Sequence, residues 1–324
     1  MDTSVIINQM AVLFILIAAG YISGRINMLT PDGVKTLSKI VINISTPSTV
    51  LYSVLGDTDS ITGSKTIYFV LMTLLAFVIF FLIAIPSARA LGVREGSGVR
   101  VQGSGDGNTG VRLYNNTGLY TSMIVFGNVG FMGYPVTRAI FGASSIFYAA
   151  LFNIIFNVLT YSVGIILISG NVGKVNLKVL LNGTLVASLI SFIIVFTGFH
   201  APTIIVDAIS LASGINTPCA MLVIGATLAQ VPVKIVFTKW RLYPVTVVKM
   251  IVAPVVTWLV FKQFVTDELL FGILVVLSGM PIAAAVAMIA VEYGGDERLA
   301  SSGIFLTTLL SGVTIPLIVY LFLL

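Results

Sequence analysis

Gly127-Asn128-Val129-Gly130-Phe131-Met132-Gly133-Tyr134-Pro135 sits in the middle of an apolar run of roughly membrane length, and its reading decides the fold. Glycine inside a helix costs about 1 kcal/mol relative to alanine, and proline about 3. The stretch therefore predicts an interrupted helix. A bilayer tolerates such a break only where the freed backbone groups are buried in protein or line a polar cavity. Taken alone, the break is either a proline kink satisfied by neighbouring helices or one half of a binding site. A second break at the matching place elsewhere in the chain would decide between them.

The composition sets the class. Of 324 residues, 57% are hydrophobic and 9% charged, whereas a soluble domain carries about 25% charged residues. This is an all-α polytopic membrane protein, with the lipid bilayer as its first partner. Asp2 precedes the apolar run at 6–19, and neither a basic leader nor a cleavage site accompanies it, so the run is expected to span. A single cysteine, Cys219, and a single histidine, His200, exclude an internal disulfide and a cysteine-built metal site. No metal and no cofactor are expected. An intramembrane enzyme would need a serine–histidine pair, paired carboxylates or a metal-ligand cluster, and the spans offer none, so catalysis is not expected. The net charge of +5 reports where the loops lie and implies no nucleic-acid partner.

Apolar periodicity and breakers predict ten spans, at 4–24, 34–55, 65–91, 118–142, 144–169, 176–199, 203–230, 242–261, 268–293 and 299–324. The second break appears in span nine, at Ser278-Gly279-Met280-Pro281. The two halves echo one another. Thr46-Pro47-Ser48-Thr49-Val50-Leu51 returns as Thr217-Pro218-Cys219-Ala220-Met221-Leu222, 171 residues later, while Pro135 and Pro281 are 146 apart. The difference of 25 matches the glycine-rich loop at about 92–117, which has only a few residues as its counterpart between spans eight and nine. Ala143-Ser144-Ser145 likewise echoes Ala300-Ser301-Ser302.

Five spans per repeat is an odd number, so the second repeat enters the membrane from the opposite side, as in secondary transporters. Residues 1–170 are expected to form the first inverted repeat and 171–324 the second. Cationic residues orient them. Arg25, Lys35, Lys39, Arg89, Arg94, Arg100, Arg112, Lys174, Lys178, Lys234, Lys239, Arg241 and Arg298 fall in connections on one side, against Lys65, Arg138 and Lys262 on the other. The first side is expected to be cytoplasmic, with both termini outside a cytoplasmic (plasma) membrane. The tract 94–116, with Gly96-Ser97-Gly98 and Gly103-Ser104-Gly105-Asp106-Gly107, reads as flexible linker and receives no chemistry.

Paired breaks in inverted halves are the usual construction of a midplane site. Half-helices starting near Pro135 and Pro281 would present unpaired N–H groups and a positive dipole end, which favours an anion. Gly130 and Gly133 loosen the helix, and Asn128 precedes Pro135 by about two turns. Its amide offers two donors and an acceptor without a buried charge, to a ligand or to its own loosened backbone. Asn153 and Asn157, four apart, share one face of span five, where they either contact ligand or glue helices together. Met280 and Pro281 form the matching side. Asn43, Thr46 and Thr217 flank the breaks in spans two and seven and serve either an ion or their own helices. Lys249, about seven residues into span eight, is an ionisable group at depth and so a functional candidate. It could pair with a carboxylate substrate, hold the carbonyl ends of the broken helices as a fixed cation, titrate during transport, or reach back to the interface.

The segment Asn128 to Pro135, together with Gly279-Met280-Pro281 and Ala290-Val291-Glu292-Tyr293-Gly294-Gly295-Asp296, resembles the fourth- and ninth-span signatures of the auxin efflux carrier family, which includes bacterial carriers and plant PIN-type transporters. The resemblance covers nearly the whole chain outside the glycine-rich tract. It implies crossed, broken helices four and nine, a scaffold of spans 1, 2, 6 and 7, a transport bundle of spans 3–5 and 8–10, elevator-like movement and a homodimer formed through the scaffold. It also implies a small organic anion as substrate: auxin in plants, dicarboxylates such as malonate or malate in bacteria. The ninth-span crossing here lacks the amide that PIN-type carriers place beside the proline, which weighs against auxin itself. The expected function is a secondary transporter of small organic carboxylates by alternating access. The alternatives are a sodium- or proton-coupled carrier of another solute, or a channel or sensor module on the same scaffold.

Overall fold

The computed structural model describes residues 3–56, 63–92, 99–100, 111–112, 116–172 and 182–323. Most of the glycine-rich tract, Arg94 included, lies outside the described residues, as do Lys174 and Lys178. What is described of the tract is a two-residue antiparallel ladder, Val99–Arg100 against Val111–Arg112.

The remaining regular structure among the described residues is helical. Helix α1 is Thr3–Arg25. Helix α2 joins Pro31–Ile40 to Thr46–Leu55 through a π-helical turn, Val41–Ser45. It begins where it does because Pro31 suits a first turn and the Thr30 hydroxyl accepts the Gly33 N–H at 3.2 Å. Then come α3 (Gly63–Gly92), α4 (Asn116–Val125) and α5, whose π-helical start Val129–Gly133 runs into Tyr134–Phe141. Helix α6 joins Ser145–Leu159 to Ile165–Ser169 through the π turn Thr160–Gly164. Helices α7 (Gly183–Thr197), α8 (Thr203–Gly214) and α9 (Asn216–Ala229) follow. Helix α10 joins Leu242–Val247 to Ala253–Phe261 through Val248–Val252. The chain closes with α11 (Glu268–Ser278), α12 (Ala284–Tyr293) and α13 (Glu297–Phe322).

Among the described residues, six stretches are long and apolar enough to cross a bilayer: Ile7–Arg25, Gly63–Leu91, Ser145–Ser169, Thr203–Ala229, Leu242–Phe261 and Glu297–Phe322. The protein is an all-helical, polytopic membrane protein. Helices α4, α5, α11 and α12 are individually too short to span, because the chain leaves the helix between them in pairs.

The π-helical turns have a chemical cause. Three of them end two residues before a proline: Pro47, Pro135 and Pro254. Proline has no N–H, and its ring crowds the carbonyl four residues back. The residue ahead of each proline therefore reaches one residue further: Thr46, Tyr134 and Ala253 donate to the carbonyls of Val41, Val129 and Val248. The widened turn makes room for the ring while the helix continues.

Packing is closest between α1 and α9. Gly20 and Gly24 stand one turn apart on α1 and face α9, Gly20 beside Gly225 and Gly24 against Ala226 and Ala229. A methyl at Gly20 would overlap the backbone of Leu222, and one at Gly225 the backbone of Ile17. Lipid gives little hydrophobic drive for two apolar helices to associate, so small residues that bring backbones together supply the packing. The second half of α2 lies against α7 and α8, and α3 lies along α4. Phe77, Phe126, Phe152 and Phe156 stack edge to face or tilted, tying α3 and α6 to the start of the non-helical link after α4.

Candidate functional site

Two non-helical links meet at the centre of the molecule. Helix α4 ends at Val125, and Phe126, Gly127 and Asn128 lie outside regular helix; α11 ends at Ser278, and the next helix starts at Ala284. The links pair antiparallel across Gly127 and Ile282. The Asn128 N–H donates to the Pro281 carbonyl at 2.7 Å, and the Ala283 N–H donates to the Phe126 carbonyl at 3.0 Å. The Ile282 N–H donates to the Thr307 hydroxyl of α13 at 3.1 Å. These bonds satisfy backbone groups that hydrocarbon could not. Gly127 is needed for close approach: a Cβ there would stand 3.1 Å from Lys249 Nζ and 3.3 Å from the Met280 carbonyl oxygen.

The half-helices start at places that differ from those the prolines predict. After the first link the helix resumes at Val129, six residues before Pro135, with Asn128 as its cap: the Phe131 N–H donates to Asn128 Oδ1 at 3.2 Å. Pro135 is carried inside the helix by the π turn. Pro281 lies in the extended link, where its carbonyl is used, and the second half-helix starts at Ala284.

A cavity of about 130 Å³ opens on one face of this crossing. Its polar wall is Asn128, Tyr134, Asn153, Asn157, Tyr161 and Thr46, with Asn182 and Thr184 from the start of α7 and Gly130 and Ala284–Ala285 from the first turns of the two half-helices. First-turn N–H groups have no partner within their own helix. A methyl at Gly130 would meet nothing within 4 Å, so the backbone there is open to the cavity. Among the described residues, no charged side chain lines it. Asn157 Nδ2 donates to the Asn153 carbonyl at 2.8 Å, which commits one donor to its own helix. The Tyr134 hydroxyl is fully buried and faces the Asn153 side chain without closing a hydrogen bond. A larger, mostly apolar cavity of about 280 Å³ adjoins it beyond Asn128 and Phe131, walled by Val223, Ile224, Leu228 and Ile304, with the Thr308 hydroxyl buried and unpartnered at its edge.

The structure brings together Asn128, Gly130, Asn153, Asn157 and Thr46 of the residues singled out by sequence. Thr46 also donates to Asn216 Oδ1 at 3.0 Å, linking α2 to α9. Gly133, Pro135, Met280 and Pro281 form the body of the crossing and not the cavity wall. Gly133 donates its N–H to the Asn128 carbonyl at 2.9 Å, and a Cβ there would stand 3.0 Å from Leu277. Asn43 is exposed and bonds back to the Lys39 carbonyl at 3.0 Å. Thr217 is half-buried, on α9, and away from the cavity wall. Lys249 is buried behind the crossing, where Nζ donates to the Ser278 carbonyl at 3.3 Å and stands 5.7 Å from the centre of the Phe80 ring.

Tyr134, Tyr161, Asn182, Thr184 and Thr307 are polar residues that sequence reasoning passed over. Tyr134 was legible in principle, since it lies one helical turn beyond Gly130 and so shares its face. Thr307 carries no local sign of its role.

A family model described as "Membrane transport protein" matches residues 5–111, 112–177 and 171–319. The chain is 26% identical over 313 residues to an uncharacterized transporter of Methanothermobacter thermautotrophicus, covering 94% of each chain. It is also 26% identical over 315 residues to an uncharacterized transporter of Methanocaldococcus jannaschii, covering 94% of this chain and 95% of that one.

Proposed function

The chain belongs to the membrane transport protein family, of the auxin efflux carrier type, and on that premise we propose that it is a secondary transporter of small organic carboxylates. The observation that carries this reading is the cavity at the crossing. It combines the first turns of two half-helices with four neutral amides and the buried Tyr134 phenol, and its described lining holds no charged side chain. Helix N-termini favour negative charge, and amides add directional donors without the cost of a buried ion. The carboxylate sits between Gly130 and Ala284, with Asn128 and Asn153 as side-chain contacts. The adjoining apolar cavity takes the rest of the molecule, which favours a monocarboxylate with an apolar body over a dicarboxylate, whose second charge would lack a partner.

The same reading makes residues 1–170 and 171–324 inverted repeats, crossed at spans four and nine, with both termini outside the cytoplasmic membrane. The close packing of α1 on α9 and of α2 on α7 and α8 supports a scaffold of spans 1, 2, 6 and 7, which also serves as the homodimer surface. The remaining spans carry the cavity across the membrane as the transport bundle.

The test is uptake by the full-length protein in proteoliposomes, screening indole-3-acetate, phenylacetate and malonate with sodium and pH gradients varied independently. The variant Asn128→Ala is expected to lose uptake of the transported acid by about tenfold or more, the worth of one or two charge-assisted hydrogen bonds, while inserting normally. Unchanged uptake in that variant would remove Asn128 from the site.

A further inference from the structure

The crossing has two faces of opposite polarity, and the cavity uses one of them. On the other face the carbonyl end of α11 points inward with a negative dipole end. A helix leaves its last four carbonyls without intrahelical donors, and here each finds a different one. The Ser278 hydroxyl donates to the Val275 carbonyl at 2.6 Å, the Gly279 N–H to Val276 at 3.1 Å, and the Met280 N–H to Leu277 at 3.3 Å. The last carbonyl, that of Ser278 itself, takes the Lys249 ammonium. Lys249 is 1% exposed. Among the described residues the ion pairs are Lys35–Asp32 and Lys65–Asp267, so no carboxylate offsets it. A buried ammonium without a carboxylate costs several kcal/mol unless dipoles compensate. The Ser278 carbonyl, the α11 dipole and the Phe80 ring face are the compensating groups. They are also the groups a bound alkali cation would use.

We propose that Lys249 is an internal counter-cation: its ammonium occupies a cation site that the crossing itself builds at the carbonyl end of α11, so that no alkali ion is needed there. Lys249 is then a positioning residue. It fixes the carbonyl end of one half-helix, and through the Gly127–Ile282 pairing it holds the register that aims the half-helix starts at the cavity. The π turn at Val248–Val252, imposed by Pro254, places the lysine where it can reach.

The test is thermal unfolding of the full-length protein in detergent, in sodium, potassium, methylammonium and choline chloride at equal ionic strength. It needs no substrate, so it stands or falls separately from the transport reading. Wild type is expected to melt at one temperature in all four salts. Lys249→Ala, which leaves the Ser278 carbonyl and the Phe80 ring face open, is expected to melt lower in choline by about 5 °C or more and to recover at least half of that in sodium or methylammonium. Lys249→Met, which keeps the volume without the charge, is expected to melt lower with no recovery. The proposal is overturned by selective sodium stabilisation of wild type, by an alanine variant indifferent to every cation, or by a methionine variant as stable as wild type in choline. If the alanine variant can be purified only with methylammonium present, that outcome supports it; failure in all four salts overturns it.

Discussion

The two links that meet at the crossing satisfy the same backbone requirement by different means. The first, between α4 and α5, carries its own side-chain cap: Asn128 accepts the Phe131 N–H and still faces the cavity. The second, between α11 and α12, has no side-chain cap at Ala283 and borrows the Thr307 hydroxyl from α13. One link therefore supplies chemistry to the cavity, and the other supplies backbone. A pair of breaks at matching places in the chain need not be a pair of equal sites. The ends nearer water differ again, since Asp267 and Asp296 cap α11 and α13 with carboxylates. A charged cap is cheap at the edge and expensive at the centre, where amide and hydroxyl replace it.

Breaking the pairing outright should have the largest effect. Gly127→Val places a branched side chain against Lys249 Nζ and the Met280 backbone. Overpacking of this kind costs about 1–3 kcal/mol, and here it also separates the two links. The expected outcome is a protein that no longer elutes as a single species from size-exclusion chromatography in detergent.

Asn128→Ala tests whether the first link is chemical as well as structural. Loss of the cap costs about 1 kcal/mol in stability, read as a lower melting temperature, whereas the uptake loss set out above is larger. A variant that loses uptake only in proportion to folded protein would make the two links alike. Thr307→Val is the matching change at the second link. Leaving the Ile282 N–H buried without an acceptor costs about 1–3 kcal/mol, with the uptake rate per folded molecule expected to change less than in Asn128→Ala. An equal loss of rate would end the distinction drawn here.

The edge provides the smallest effect. Burial pushes the Asp267 carboxyl up, but its hydrogen bond and ion pair with Lys65 at 2.7 Å and the N–H groups of Leu270 and Leu269 outweigh that and hold it below the ordinary carboxylate range. The unfolded chain then binds the proton more readily, so this cap contributes stability above the ordinary value of about 4 and loses it as pH falls through the native one. Between pH 5 and pH 3 the melting temperature of wild type is expected to fall more than that of Asp267→Asn. Parallel curves would show that the carboxylate does nothing there.

Much of this was legible in the sequence because it rests on local chemistry. The run of Gly127, Gly130, Gly133 and Pro135 forbids an uninterrupted helix through its own backbone, and Met280-Pro281 does the same in span nine. The four-residue spacing of Asn153 and Asn157 puts both on one face, and both line the cavity. The membrane class follows from composition alone.

What the tertiary structure decided is where each break ends and which side of it each residue serves. Pro135 was expected to start a half-helix; it lies inside one, because a π turn absorbs its ring and Asn128 provides the cap. Lys249 could have faced substrate, interface or backbone, and it faces the carbonyl end of α11, 29 residues on in the chain. Thr307 became a cap only because α13 passes beside Ile282, 25 residues away. Backbone preference is set by a residue and its near neighbours, so sequence determines that the helices break. The partner of a freed N–H or a buried charge is set by whichever element folds against it, and that is determined only when the two links cross.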